Sequence, residues 1–364
     1  PRAMYWQAEG DAQAGLKRKH ECYQRGIALY QELGDTWRQV NMLVWAAELL
    51  NRLGDPGLAL KYQQEALRLA RQLGEPHIIL YSLRQLAYFN FLTNQFENAR
   101  QLMQETAAFL ESVAEVPLRA ETQMHLGVLL IWSAHFTDGI LALESAIPQL
   151  RSLGFRNGVH FGSVALGIGL VLNGEYQRSE AVLIPLIPEA EQGGSPREAA
   201  VGLLALGMAA LAERRLDPAL AYLQESVSRY RQMQFAGELG WALGGLSLVQ
   251  DATGQPEAAQ VSLIEALNIA SKTHSMFAMV SCLAAMVSFL ARRGHLEAAL
   301  RVHRLALMQP VHQNSRWYAQ ITGDEIALQW QALSPAQQAA IDASVKGYTP
   351  FSVIPEVLPL LSPA

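Results

Sequence analysis

The sequence predicts an all-α fold in which antiparallel helix pairs stack into a solenoid. Three observations lead there. A turn phrase returns at a fixed spacing, a small residue follows it at a fixed step, and no stretch alternates polar and apolar residues as a strand would. The turn residues are Gly54, Asn94, Ala134, Gly174, Arg214, Gly254 and Gly294, evenly spaced along the chain. Five positions further on stand Ala59, Ala99, Gly139, Ser179, Ala219, Ala259 and Ala299.

The stretch from Ser195 to Met233 shows how one unit is built. Ser195-Pro196 opens it with Glu198 three positions behind the serine, which reads as a capping box with proline at the first helical position. The helix REAAVGLLALGMAALAERR follows. Leu216-Asp217-Pro218 then makes a turn, with Asp217 placed to cap a second helix. That helix carries Ala219, Leu220, Leu223 and Val227 on one face. Asp55-Pro56 and Gln255-Pro256 punctuate other units in the same way, and Glu75-Pro76 and Val116-Pro117 open first helices. Each helix is expected to run roughly 16–18 residues, or about 25 Å. Such a pair cannot bury its apolar faces alone and must stack on its neighbours. Pro148 and Pro188, one repeat apart, are expected inside second helices, with Pro185 and Pro310 in or near them. There they act as fixed bends or as hinges.

Composition narrows the function classes. Half of the 364 residues are apolar and 17% are charged, which suits a large buried core rather than disorder. The formal net charge is −5 and no Lys/Arg run stands out, so direct nucleic-acid contact is not expected. Cys22 and Cys282 lie far apart, which fits idle thiols in a reducing cytoplasm. The longest apolar run, Phe161 to Leu172, is too short to span a membrane, and no secretory signal is read. The chain opens on Pro1 inside a helix-like stretch, RAMYWQAEGD, and is expected to be a piece of a longer protein.

Internal spacing places the helix pairs. Leu206-Gly207 precedes Ala219 by the step that also separates Leu126-Gly127 from Gly139 and Leu166-Gly167 from Ser179. Ala47, Ala87, Ser247 and Val287 hold the equivalent first-helix position elsewhere, while Ala66, Ala146, Ala266 and Ala306 supply a further small residue seven positions after the first one of the second helix. A period of about 40 also borders that of HEAT repeats. The Leu-Gly, Ala, Ala order nevertheless resembles tetratricopeptide (TPR) repeats with both helices lengthened. The likeness runs from Gly34 to about Met308. Long repeats with loops such as Leu33-Gly34-Asp35 and Leu73-Gly74-Glu75 further resemble the sensor regions of bacterial STAND-class signal-transduction ATPases, of the maltose-regulator and LuxR types. The tail from Leu333 to Leu361 looks like the capping helices that end such proteins, with Gly347 ending one helix and Thr349-Pro350 starting the next. The expected organisation is a TPR-like superhelix of seven or eight pairs over residues 1–313, then a last helix and capping helices over 314–364.

No catalytic pattern emerges. The chain has no P-loop, no H-E-x-x-H, no C-x-x-C and no G-x-S-x-G, and its nine histidines share no ligand spacing. No enzyme activity, cofactor or metal is expected. What remains is the inner face of the first helices, where offsets of −6, −3, +1 and +4 from the small position face inward. These are Asn41, Val44, Glu48 and Asn51 in the first repeat and Tyr81, Arg84, Tyr88 and Phe91 in the second. Glu121, Met124, Val128 and Ile131 follow in the third with Trp132 alongside, Phe161 stands in the fourth and Trp241 in the sixth. This stripe is either a recognition groove or packed core. Arg84 either pairs with Glu48 or Glu121 or grips an anionic or carbonyl group of a ligand. The resemblance implies a sensor that binds an inducer, a small molecule or a protein, and relieves autoinhibition of an upstream ATPase domain of the same chain. A free-standing TPR scaffold for other proteins is the alternative.

Overall fold

The structure, a computed structural model, describes residues 16–52, 56–92, 95–111, 113–233, 235–273 and 275–361. Every regular element among them is helical. The first helices of the pairs are α2 (Thr36–Arg52), α4 (Pro76–Leu92), α6 (Val116–Trp132), α8 (Arg156–Leu172), α10 (Pro196–Ala212), α12 (Ala236–Ala252) and α14 (Met276–Arg292). The second helices are α3 (Pro56–Leu73), α5 (Phe96–Glu111), α7 (Phe136–Ser152), α9 (Tyr176–Gln192), α11 (Leu216–Met233), α13 (Pro256–Thr273) and α15 (Leu296–Leu307), and α1 (Leu16–Glu32) precedes them all. Both series begin at one constant interval, as the sequence predicts. The chain divides into two compact units, and the division falls inside α6, between Leu129 and Leu130.

The expected turn positions keep their register. Gly174, Gly254 and Gly294 are left-handed with φ of 82°, 74° and 82°, and Ala134 and Arg214 adopt the same conformation at 63° and 61°. Gly54 and Asn94 lie outside the described residues. At each described turn the residue after the left-handed one donates its N–H back across the helix end. His135 bonds Leu130 O at 2.9 Å, and Glu175 and Arg215 bond Leu170 O and Ala210 O at 2.8 Å. This Schellman closure consumes carbonyls that would otherwise lack partners.

Helix crossings depend on the small residues. Ala59, Ala99, Ser179, Ala219, Ala259 and Ala299 are at most 1% exposed, and Gly139 is buried with them. A Cβ added to Gly207 would meet Leu223 Cγ at 2.5 Å, and one on Gly167 would meet Leu183 Cδ2 at 2.5 Å. Ser179 occupies the alanine position by donating its hydroxyl to Gly167 O at 3.0 Å, which removes the cost of burying it.

Two expected caps do not form. Ser195 makes no cap to α10; the left-handed turn leaves it with ψ of 59°, not the extended geometry of a capping residue. Its hydroxyl lies instead 2.9 Å from His160 Nδ1. Asp217 is already in the first turn of α11, since that helix starts at Leu216.

The C-terminal part differs most from expectation. α15 stops after 12 residues, whereas the other second helices run 16 to 18. Pro310 lies outside it and begins a short helix, α16 (Pro310–Gln313). The chain then turns onto the first helices of the second unit through α17 (Arg316–Tyr318), a π turn (Ala319–Gly323) and α18 (Asp324–Gln331). Trp317 and Tyr318 are 0% and 1% exposed there. Ser315 Oγ donates to Leu172 O at 3.3 Å and Gln320 Nε2 to Ala212 O at 2.7 Å. These carbonyls end α8 and α10 and lack helical partners, so the segment caps them. Trp317 Nε1 donates to Met208 O at 3.0 Å, Thr322 Oγ1 to Ala284 O at 3.4 Å and His312 Nε2 to Val280 O at 3.0 Å. We call residues 309–323 the strap. Beyond it, α19 (Pro335–Ser344) packs on α15, and α20 (Ile354–Leu361) on α13 and α14. Gly347 has the expected left-handed φ, but α20 begins at Ile354 rather than at Thr349-Pro350, because Thr349 and Ser352 bond each other in a turn.

Two outcomes follow from this packing. Ala219→Leu forces α10 and α11 apart and is expected to destabilise the chain by roughly 1–3 kcal/mol or more, read as a lower denaturation midpoint; an unchanged midpoint contradicts the register. Burial holds His303 and His312, which flank Tyr318, down at about 4. The unfolded chain takes up protons below the ordinary histidine value of about 6.5 while the folded chain does not. Stability is therefore fully present above about pH 6.5 and is lost as the pH falls toward 4, by about 2 kcal/mol per histidine at pH 5. Urea midpoints at pH 7.5 and 5 read this out, and equal midpoints contradict the burial of both rings.

Candidate functional site

In the first unit the first helices leave one stripe half open. On α2 it comprises Trp37, 50% exposed, then half-buried Asn41 and Trp45 and exposed Glu48. On α4 it comprises exposed His77 and half-buried Tyr81, Arg84, Gln85 and Tyr88. On α6 it comprises Glu121 and His125, both half-buried. Relative to the small residue at Ala47, Ala87 or Gly127, the open positions are −10, −6, −2 and +1. The expected −6 position therefore faces outward on all three helices, and the +1 position on α2 and α4. The −3 position does not: Val44 and Met124 are each 2% exposed and pack inward. Val128 and Ile131 are buried as well, at 7% and 0%. Sequence reasoning passed over Trp37, Trp45 and His125; a continuation of the i, i+4 row through Asn41 marks the first two. The side chains of Asn51 and Phe91 lie outside the described residues.

Polar groups converge in this stripe. Arg84 Nη1 reaches Glu121 Oε1 at 3.4 Å, so of the two pairings open to it the guanidinium takes the one with Glu121. Its Cζ lies 5.3 Å from the centre of the Tyr81 ring. His125 Nε2 approaches the same Glu121 oxygen at 3.9 Å. Burial lowers the pKa of Arg84 despite the nearby Glu121 and Tyr81 oxygens. Burial, and then the charge of Arg84, holds His125 well below the usual histidine range and hence neutral. The Tyr81 phenol is pushed up by burial and by nearby Glu48, while hydrogen bonds with Gln85 and Trp45 act against this. Asn41 Nδ2 donates to Trp37 O at 3.0 Å, which fixes the amide along the stripe. Two tryptophans, two tyrosines and a guanidinium supply large, stiff contact area with polar tips.

The second unit presents no such stripe among its described residues. Nearly every residue of α8 beyond Val159, of α10 beyond Ala199 and of α12 from Gly240 to Gln250 is buried. The strap covers part of this face. The rest is closed by Trp132, Trp241 and Phe277, whose rings stand 4.7 Å apart for Trp132–Phe277, 5.5 Å for Trp132–Trp241 and 6.3 Å for Trp241–Phe277. Trp132 and Trp241 are 6% and 2% exposed, so they pack against each other rather than line an open groove. Phe161 is half-buried on α8.

Comparison with known proteins agrees with this architecture. Residues 38–112 match the tetratricopeptide repeat family. No curated protein sequence matches the chain. A Rap protein complexed with Competence and Sporulation Factor superposes with a TM-score of 0.57 at 11% identity, covering 99% of this chain and 98% of that one. The Rap conjugation gene regulator of the plasmid pLS20, in complex with a Phr peptide, gives 0.53 at 14% identity over 86% of this chain and 97% of that one. A STAND protein with a tetratricopeptide repeat sensor from Pyrococcus horikoshii gives 0.47 at 11% identity, over 94% of this chain and 55% of that one. At these identities the Rap likenesses establish a TPR-like fold.

Proposed function

We propose that this chain is a recognition module that binds a peptide or a segment of a partner protein along the first helices of its first unit. The observation that carries this reading is the half-open aromatic and polar stripe of Trp37, Trp45, Glu48, Tyr81, Arg84, Tyr88 and Glu121, in a fold whose other first helices are packed shut. Rap proteins of the same fold are complexed with Competence and Sporulation Factor and with a Phr peptide. A peptide suits the surface better than a small metabolite, because the stripe extends over three helices rather than enclosing a cavity.

The finer reading is a cytoplasmic sensor in a STAND-class regulator. Peptide or protein inducer bound to the stripe would relieve autoinhibition of an ATPase domain elsewhere in the same chain. The long repeats and the Leu-Gly-Asp and Leu-Gly-Glu loops support it. So do the two buried cysteines, Cys22 and Cys282, which suit a reducing compartment. The scaffold alternative uses the same stripe without an inducer-driven output.

Selection of a displayed random-peptide library on the full chain tests the recognition role. The expected result is enriched peptides that lose at least about tenfold in affinity against Tyr88→Ala, a change of about 1.4 kcal/mol. The circular dichroism of that variant should match the parent. No enrichment, or binders indifferent to Tyr88, Tyr81 and Trp45 alike, contradicts the proposal.

A further inference from the structure

Arg84 stands where the fold calls for an apolar residue. It occupies the −3 position of its repeat, and the other repeats place Val44, Met124, Val164, Leu204, Gly244 and Ala284 there. All six are buried. A guanidinium at a core-facing position needs a close counter-charge, and this one has only the long pair with Glu121. Its side chain is 16% exposed and its nearest carboxylate oxygen is 3.4 Å away. By comparison, Arg151, Arg197, Arg229, Arg301 and Arg304 are at least 25% exposed, and each has a carboxylate oxygen within 3.0 Å. Arg84, more buried than any of these five, thus makes a looser pair than they do. Glu121 is itself 40% exposed, so water competes for it, and it supplies a single contact to a group with five N–H donors. Burial of an under-paired cation is destabilising, and beyond Glu121 the guanidinium has the Tyr81 ring, 5.3 Å from its Cζ.

We propose that Arg84 receives a carboxylate of the bound peptide, held in the plane of its guanidinium, while Tyr81 and Tyr88 take the adjoining apolar or aromatic side chain. The proposal rests on the first-unit stripe being the binding surface, and it names the chemistry of the ligand. A carboxylate can accept two parallel N–H bonds from the fork, which a neutral carbonyl cannot match in charge. Glu121 then acts as a placeholder that the ligand displaces. His125, held neutral, adds no second positive charge. The carboxylate can come from an Asp or Glu side chain or from a peptide C-terminus.

The test uses the full chain with phenylacetate and its neutral isostere phenylacetamide as probes. Binding is followed by the guanidinium Nε–H resonances. Phenylacetate is expected to shift one resonance that is missing in Arg84→Met, and to bind at least about tenfold more tightly than the amide. Arg84→Met copies the residue at Met124; it should melt at the same temperature as the parent or higher and lose the preference for the acid. Glu121→Gln removes the competing carboxylate and should strengthen phenylacetate binding severalfold. The proposal is overturned if acid and amide act alike on the parent chain. It is also overturned if Arg84→Met melts lower with probe binding unchanged. Should Arg84→Met fail to fold, unaltered phenylacetate binding in Glu121→Gln decides against it. Selected peptides separate this inference from the recognition role. Loss of binding on Asp→Asn or Glu→Gln assigns the side chain, and loss on amidation assigns the C-terminus. Binding that survives both changes sinks the carboxylate role and leaves peptide recognition standing.

Discussion

The close crossing of the two helices in each pair is the constraint on which the rest of the structure depends. At Gly207 there is no room for a Cβ against Leu223, and Ala219 is wholly buried on the facing helix. A crossing that tight needs a small residue wherever the facing helix brings in a leucine, so the small residues fix how each helix is rotated about its axis. Rotation decides which residues face the core. Once Ala47, Ala87 and Gly127 are fixed at the crossings, Val44 and Met124 must point inward, and Trp45, Tyr88 and Glu121 must come to the surface. The half-open stripe is thus a by-product of packing at positions that it does not contain.

Given the same repeat, the two units use their first helices differently. In the second unit, α8, α10 and α12 are apolar on nearly all sides, and their exposed faces are covered. The strap covers them by polar as well as apolar means, ending α8 and α10 with the side chains of Ser315 and Gln320. In the first unit the corresponding faces carry Glu48, Arg84, Glu121 and aromatic residues with polar tips, which are compatible with water and with a partner. One chain therefore shows both outcomes open to such a face, closure by its own sequence and exposure.

Much of this was legible in the sequence because it is local. Left-handed turns at Gly174, Gly254 and Gly294 and buried small residues from Ala59 to Ala299 follow from spacing alone. The −6 and +1 positions of the stripe, including Asn41, Glu48, Tyr81, Tyr88 and Glu121, were also readable from helical periodicity. The −3 position was misjudged, because helical periodicity defines a stripe without saying which of its edges a neighbouring repeat covers. Arg84 stood out as a lone cation among aromatics, but its core-facing place was not legible for the same reason. The strap left no local signal: Ser315, Trp317 and Gln320 find their acceptors several repeats earlier in the chain, at Leu172, Met208 and Ala212. Ser195 failed as a cap because the turn before it, and not its identity, sets the backbone angle.

Oxidative footprinting of the tryptophans by hydroxyl radicals, read residue by residue by mass spectrometry on the folded chain, bears most directly on the contrast between the two faces. Trp37, 50% exposed, should be modified fastest and half-buried Trp45 next, whereas Trp241 and Trp317, 2% and 0% exposed, should stay protected until the chain unfolds. Rapid modification of Trp241 or Trp317 under native conditions, or protection of Trp37 and Trp45, would contradict an open first unit and a closed second one.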